Sequence, residues 1–213
     1  MSTADLKQRF GGILENPWVS LIQRNIVDAG RGMGLRRTVA GLGVRSVLDI
    51  GCGLGEHSRL CPDAFYLGLD NSAPRAAFAA QQHAPAAFLL ADALKLPVRP
   101  GSFDLAMLID TSHHLTDDQF RAMLRQMAVA SRRWVLVSDP VFYEGQNLLS
   151  RFFYSLDRGA MFRSAATMEE FLHSCPGLVL ERADMFITFP GLYRHGVFLL
   201  RRTDGDDHKG VPV

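Results

Sequence analysis

Residues 45–55, Arg-Ser-Val-Leu-Asp-Ile-Gly-Cys-Gly-Leu-Gly, constrain this chain more than any other stretch. Val47, Leu48 and Ile50 lie in a short apolar run bounded by turn formers, which reads as a buried parallel strand. The run enters Gly51-x-Gly53-x-Gly55. Glycines there let the backbone turn sharply and approach a ligand without Cβ clashes. A helix is expected to start near Gly55, over 55–60, with its free N–H groups and positive dipole end aimed at the crevice. Strand, glycine loop and helix in that order build a nucleotide-type site at the carboxyl end of a sheet.

A glycine loop alone is a weak signal, so its surroundings decide. Asp70 closes a second apolar run, 64–69, at the distance where an acidic residue holds a ribose diol in doubly wound folds. Asp92 follows a third run at 86–91, and Asp110 a fourth at 103–109. Four successive strands thus end in or next to a carboxylate: Asp49, Asp70, Asp92 and Asp110. Aspartate is also common at strand ends as a turn former or helix cap. Four in phase with a glycine loop favour a ligand crevice.

Helical periodicity is expected over 17–30, 34–41, 73–83 and 117–130, the last with Thr116 or Asp117 as N-cap. A strand follows at 133–138. Alternating strands and helices imply a mostly parallel sheet covered on both faces. Runs at 178–187 and 195–201, separated by a short loop with Pro190 and Gly191, read as a C-terminal antiparallel hairpin. The expected fold is therefore α/β and Rossmann-like, with seven strands. Residues 1–202 form a single domain in this reading, with 1–42 as an N-terminal helical cover and 140–177 as an insertion. The polar tail 203–213 is expected to be disordered.

The segments VLDIGCGLGEHS, GLD at 68–70, ADALKLP at 91–97 and SFDLAMLIDTSHHL at 102–115 resemble the successive motifs of class I S-adenosylmethionine-dependent methyltransferases. The likeness is to the small-molecule branch related to the quinone-biosynthesis enzymes, and it covers about 13–202. The resemblance implies S-adenosylmethionine as cofactor. It implies Asp49, Gly51 and Gly53 at the methionine part, and Asp70 on the ribose hydroxyls with Asn71 beside it. It also implies Asp92 and Ala93 at the adenine, and Asp110 closing the pocket near the methionine end. A nicotinamide fingerprint would need a small third residue after its two glycines, where this chain has Glu56. Asp49 suits a cationic methionine tail, and would repel a pyrophosphate.

Methyl transfer from a sulfonium needs alignment and exclusion of water more than covalent help. A hydroxyl or acidic carbon acceptor gains from a general base. His114 and His113, just past the fourth strand, are the candidates, with a loop-capping role open for either. Asp139 and Tyr143 are candidates for substrate contact, and His195 reads as structural. Aromatic residues in the insertion, among them Phe142, Tyr143, Tyr154 and Phe162, could line an apolar pocket or belong to the core.

A net charge of +1 gives no field that would favour nucleic acid or an anionic membrane. No Asn-Pro-Pro-Tyr segment of the kind found in nucleobase amino-methylating enzymes follows the fourth strand. The expected partner is a small, aromatic or lipid-like substrate, methylated on oxygen or carbon. A catalytically silent cofactor-binding subunit is the alternative. Three cysteines without metal spacing, no apolar leader in MSTADLKQRF and no 18-residue apolar stretch point to a cytoplasmic chain without membrane insertion.

Overall fold

The computed structural model describes residues 31–146, 150–151, 154, 161–188 and 193–203 of the 213. The expected helix at 17–30, the hairpin loop with Pro190 and Gly191, and the tail from 204 on lie outside the described residues. Seven strands, β1 (Ser46–Ile50), β2 (Phe65–Asp70), β3 (Ala87–Leu90), β4 (Phe103–Ile109), β5 (Ser131–Pro140), β6 (Leu178–Ile187) and β7 (Arg194–Arg202), form one sheet. Their order is β3-β2-β1-β4-β5-β7-β6. Pairings from β3 to β5 are parallel, and β7 runs antiparallel to both β5 and β6. The order reverses between β1 and β4, which places a topological switch point beside the glycine loop.

Alternation along each strand sorts the side chains into two layers. Leu48, Ile50, Leu108, Val135, Val137 and Phe198 face helix α3 (Asp117–Ala130) and helix α4 (Ala165–His173). Val47, Met107, Ile109, Leu136 and Val197 face helix α1 (Arg31–Val39), which contributes Leu35 and Val39. Helix α3 forms because Phe120, Met123, Leu124 and Met127 recur at helical spacing and are all buried. Burying each is worth about 1.5–3 kcal/mol. Its start is a capping box: the Gln119 N–H donates to Thr116 Oγ1, and the Thr116 N–H donates to Gln119 Oε1. Helix α2 (Ala73–Gln82) joins β2 to β3, with Pro in its first turn.

One expected element is corrected. No α-helix follows the glycine loop; Glu56–Arg59 makes a single 3₁₀ turn. Pro62 stands close behind it, and the residue before a proline is pushed out of the helical region, so the turn cannot propagate. The crevice therefore has no helix dipole at this point. Gly55, at φ 83°, still provides the left-handed bend that aims the loop. The second expected helix also shifts, from 34–41 to Arg31–Val39.

Candidate active site

The carboxyl ends of β1, β2 and β4 bring Asp49, Asp70 and Asp110 to the same end of the sheet. Asp70, the last residue of β2, is nearly buried. Its Oδ2 accepts from the Gly53 N–H at 2.9 Å and its Oδ1 from the Ser72 N–H at 2.8 Å. The carboxylate thus pins the glycine loop to the tip of β2. Each oxygen retains a second acceptor position, as a ribose diol requires. Asn71 follows on the exposed rim. Asp92 is exposed one strand further out, where its carboxylate accepts from the Leu94 N–H at 2.9 Å, and Ala93 lies between the two.

Asp49 is fully buried on the α1 side of β1. Its Oδ2 accepts from the Tyr66 hydroxyl, and His57 Nδ1 lies 3.5 Å from the same oxygen. Burial first, and then the Asp49 charge, hold the Tyr66 hydroxyl well above its ordinary pKa, so it stays a donor. Asp49 Oδ1 is buried with no hydrogen-bond partner. An orphaned carboxylate oxygen on a residue two positions before a glycine loop fits a cationic ammonium group. Gly51, at φ 73°, leaves no room for a side chain: a Cβ there would overlap the Thr111 side chain. Asp70, Asp49 and the loop therefore fit S-adenosylmethionine on this chain's own geometry.

Asp110 is the one non-glycine described residue with positive φ, at 50°. Aspartate tolerates that region better than most, and such strain concentrates at functional positions. Its N–H donates to the Ser138 carbonyl at 2.9 Å, and its Oδ1 lies 3.4 Å from His195 Nε2. His195 is 3% exposed.

The two histidines after β4 fall into different environments. His113 is buried, with Nδ1 2.6 Å from Asp139 Oδ1. The Ser112 hydroxyl donates to the other Asp139 oxygen. The His113 ring stacks on Phe162, with centroids 5.1 Å apart, and Phe162 meets Tyr154 edge-on. His114 is exposed, its ring 4.2 Å from that of His113. The Asp139–His113 pair is the feature the sequence did not yield, because 26 residues separate the partners and only strand order joins them.

Arg163 was also missed. It is buried, donates to the carbonyls of Ser112 and Leu115 at 2.9 and 2.8 Å, and pairs with Asp117 at 2.8 Å. Its guanidinium also lies over the rings of Phe120 and Phe171. The insertion thereby clamps the histidine loop in place. Tyr143 is half-buried, with the Arg194 guanidinium 5.8 Å above its ring. Of the insertion aromatics, Tyr154 and Phe162 pack inward and Phe142 is exposed, while Phe152 and Phe153 lie outside the described residues.

Comparison with known proteins gives the same assignment. Residues 47–133 match the family described as "Methyltransferase domain". A tRNA (carboxymethyluridine(34)-5-O)-methyltransferase of Arabidopsis thaliana is 36% identical over 75 residues, 35% of this chain. That match spans only 18% of the relative's length. Magnesium protoporphyrin IX methyltransferase from Synechocystis PCC 6803, solved with S-adenosylhomocysteine, superposes with a TM-score of 0.71. The alignment covers 95% of this chain and 100% of that one, at 19% identity. A protein whose structure was solved in work on the conversion of a disulfide bond into a thioacetal group during echinomycin biosynthesis superposes at 0.65, with 21% identity over 81% of this chain and 80% of its own. Residues 47–133 thus match a methyltransferase domain, and the seven-stranded sheet that carries them has the fold of the methyltransferase from Synechocystis.

Proposed function

We propose that this chain transfers a methyl group from S-adenosylmethionine to an oxygen or carbon of a small aromatic or lipid-like molecule, with residues 1–202 acting as one unit. The observation that carries this reading is the orphaned Asp49 Oδ1 together with the half-used acceptor capacity of Asp70. In this reading Asp49 holds the ammonium group, Asp70 and Asn71 the ribose, and Asp92 and Ala93 the adenine. Gly51 and Gly53 let the backbone approach the methionine part. When bound, the cofactor supplies a methyl group already activated by a positive sulfur.

The chain's own contribution is then alignment, exclusion of water and a route for one proton. Asp139 fixes the His113 ring and favours the tautomer with hydrogen on Nδ1. His113, with exposed His114 in ring contact, is the proton acceptor for a hydroxyl or acidic C–H acceptor. Asp110 closes the methionine end, and Asp139 and Tyr143 lie on the acceptor side. The name of the Arabidopsis relative, with its 5-O position, favours oxygen over carbon and makes tRNA a second acceptor class to test. The near-neutral charge favours the small molecule.

Labelled methyl transfer tests the reading, with phenols, quinols, carboxylic acids and tRNA offered separately. Label in a small aromatic or lipid-like product supports it. Label in tRNA alone replaces the substrate class. Tight S-adenosylhomocysteine binding with no label anywhere assigns the chain to the silent class. Stronger heat with NAD than with S-adenosylhomocysteine removes the cofactor assignment.

A further inference from the structure

Among the described residues, three polar side-chain atoms are buried without a hydrogen-bond partner along one edge of the sheet: Asp49 Oδ1, Ser138 Oγ and His195 Nδ1. Strand parity shows that they share a face. Asp49 lies two residues after Val47, Ser138 two after Leu136, and His195 two before Val197, and all three reference residues belong to the α1-side core. All three sit at the crevice end of their strands, on β1, β5 and β7. Other orphaned groups, such as Ser131 Oγ and Trp134 Nε1, belong to the opposite end of β5.

An orphaned buried polar group is costly, so a row of them along one edge points to a polar ligand there. Asp49 is accounted for by the cofactor's ammonium. Ser138 stands two strands and His195 three strands from Asp49, on the far side of β4. Asp110 ties them together. By strand parity its side chain would point to the α3 face with Leu108. Its left-handed backbone instead carries the carboxylate to within 3.4 Å of His195 Nε2. That contact favours hydrogen on Nε2 and leaves Nδ1 as an acceptor; Ser138, on the neighbouring strand two register positions away, carries a hydroxyl that can donate or accept.

We propose that Ser138 and His195 form a subsite that anchors a neutral hydroxyl group of the acceptor molecule, on the sheet face opposite the Asp139–His113 pair. An acceptor nitrogen and a serine hydroxyl match an O–H group in both directions. An anionic oxygen is disfavoured, because the Asp49 and Asp110 carboxylates share that edge. The subsite rests on the reading of the crevice as a methyltransferase site, and it adds His195 and Ser138 as specificity-determining residues.

Long-range proton–nitrogen NMR of the histidine rings tests it on the full chain loaded with S-adenosylhomocysteine, with phenol and benzoate as probes. S-adenosylhomocysteine leaves the His195 Nδ1 resonance in place, and phenol then moves it saturably. Ser138→Ala weakens phenol binding roughly fivefold, the loss of one ordinary hydrogen bond, with cofactor affinity unchanged. A His195 resonance that ignores phenol overturns the proposal. So does one that moves with S-adenosylhomocysteine alone, which would give the row to the cofactor, or benzoate binding there as well as phenol. Calorimetry on the same sample separates the two readings: absence of cofactor heat fails the methyltransferase site, whereas cofactor heat with a silent His195 fails only the subsite.

Discussion

Replacing Asp70 by alanine isolates what the β2 tip does. In the proposed complex the carboxylate receives two ribose hydroxyls beyond the Gly53 and Ser72 N–H groups it already accepts. Hydrogen bonds to a charged partner are worth about 1.5–3 kcal/mol each. Water entering the vacated space returns part of that, so the net loss should be about 2–4 kcal/mol, or roughly 30- to 1000-fold in affinity. The same change leaves the Gly53 N–H without its acceptor and should lower stability by about 1–3 kcal/mol. Loosening of the loop alone could weaken binding, so the decisive assay is a comparison of ligands. Titration calorimetry is run with S-adenosylhomocysteine and with its 2′,3′-dideoxy analogue, on both proteins. Wild type should discriminate strongly between the two, and Asp70→Ala should discriminate hardly at all. Undiminished discrimination in the variant would refute the ribose assignment, however much the absolute affinities had dropped.

Other changes probe the neighbouring contacts. Tyr66→Phe removes the hydroxyl that holds Asp49 Oδ2 and should weaken S-adenosylhomocysteine about fivefold, while 5′-methylthioadenosine, which lacks the amino-acid part, binds as before in calorimetry. Arg163→Lys cannot reproduce the fork that meets Ser112 O, Leu115 O and Asp117; thermal unfolding should show a loss of about 2–4 kcal/mol, and a wild-type melting curve would deny the clamp. Burial first, and then the charges of Asp49 and Asp70, push the Cys52 thiol far up, so it stays protonated at about pH 8. Peptide mapping after iodoacetamide treatment should find it unlabelled in the native protein and labelled once the chain unfolds.

Where the residues speak locally, the reading from sequence matched the fold. The runs at 103–109 and 178–187, and the helix at 117–130, reappear with the same bounds, because each combines strong periodicity with a clear stop. The antiparallel pairing of the last two strands also followed from their spacing. The helix expected after Gly55 failed because a glycine loop predicts a turn but not the length of the helix behind it, and Pro62 cut that helix to four residues. In the crevice, Asp70 and Gly53 were legible as motif members, but the bond between them was not. Asp139–His113, Arg163 with the histidine loop, and His195–Asp110 join residues 26 to 85 positions apart, and such pairings exist only once strand order is known. His195 read as structural because one histidine on an apolar strand carries no periodic signal. Its orphaned nitrogen became visible only with its surroundings.

The ring of Phe88, on the outermost strand, lies where a side chain on either Gly55 or Gly68 would have to go. The curve of the glycine loop is therefore moulded partly from the margin of the molecule, two strands away from β1. Transplanting the eleven-residue motif 45–55 into a foreign scaffold would carry over its letters without that mould. Trimming Phe88 to alanine in place would let the loop sag toward the vacated space, although no residue of the motif had been touched.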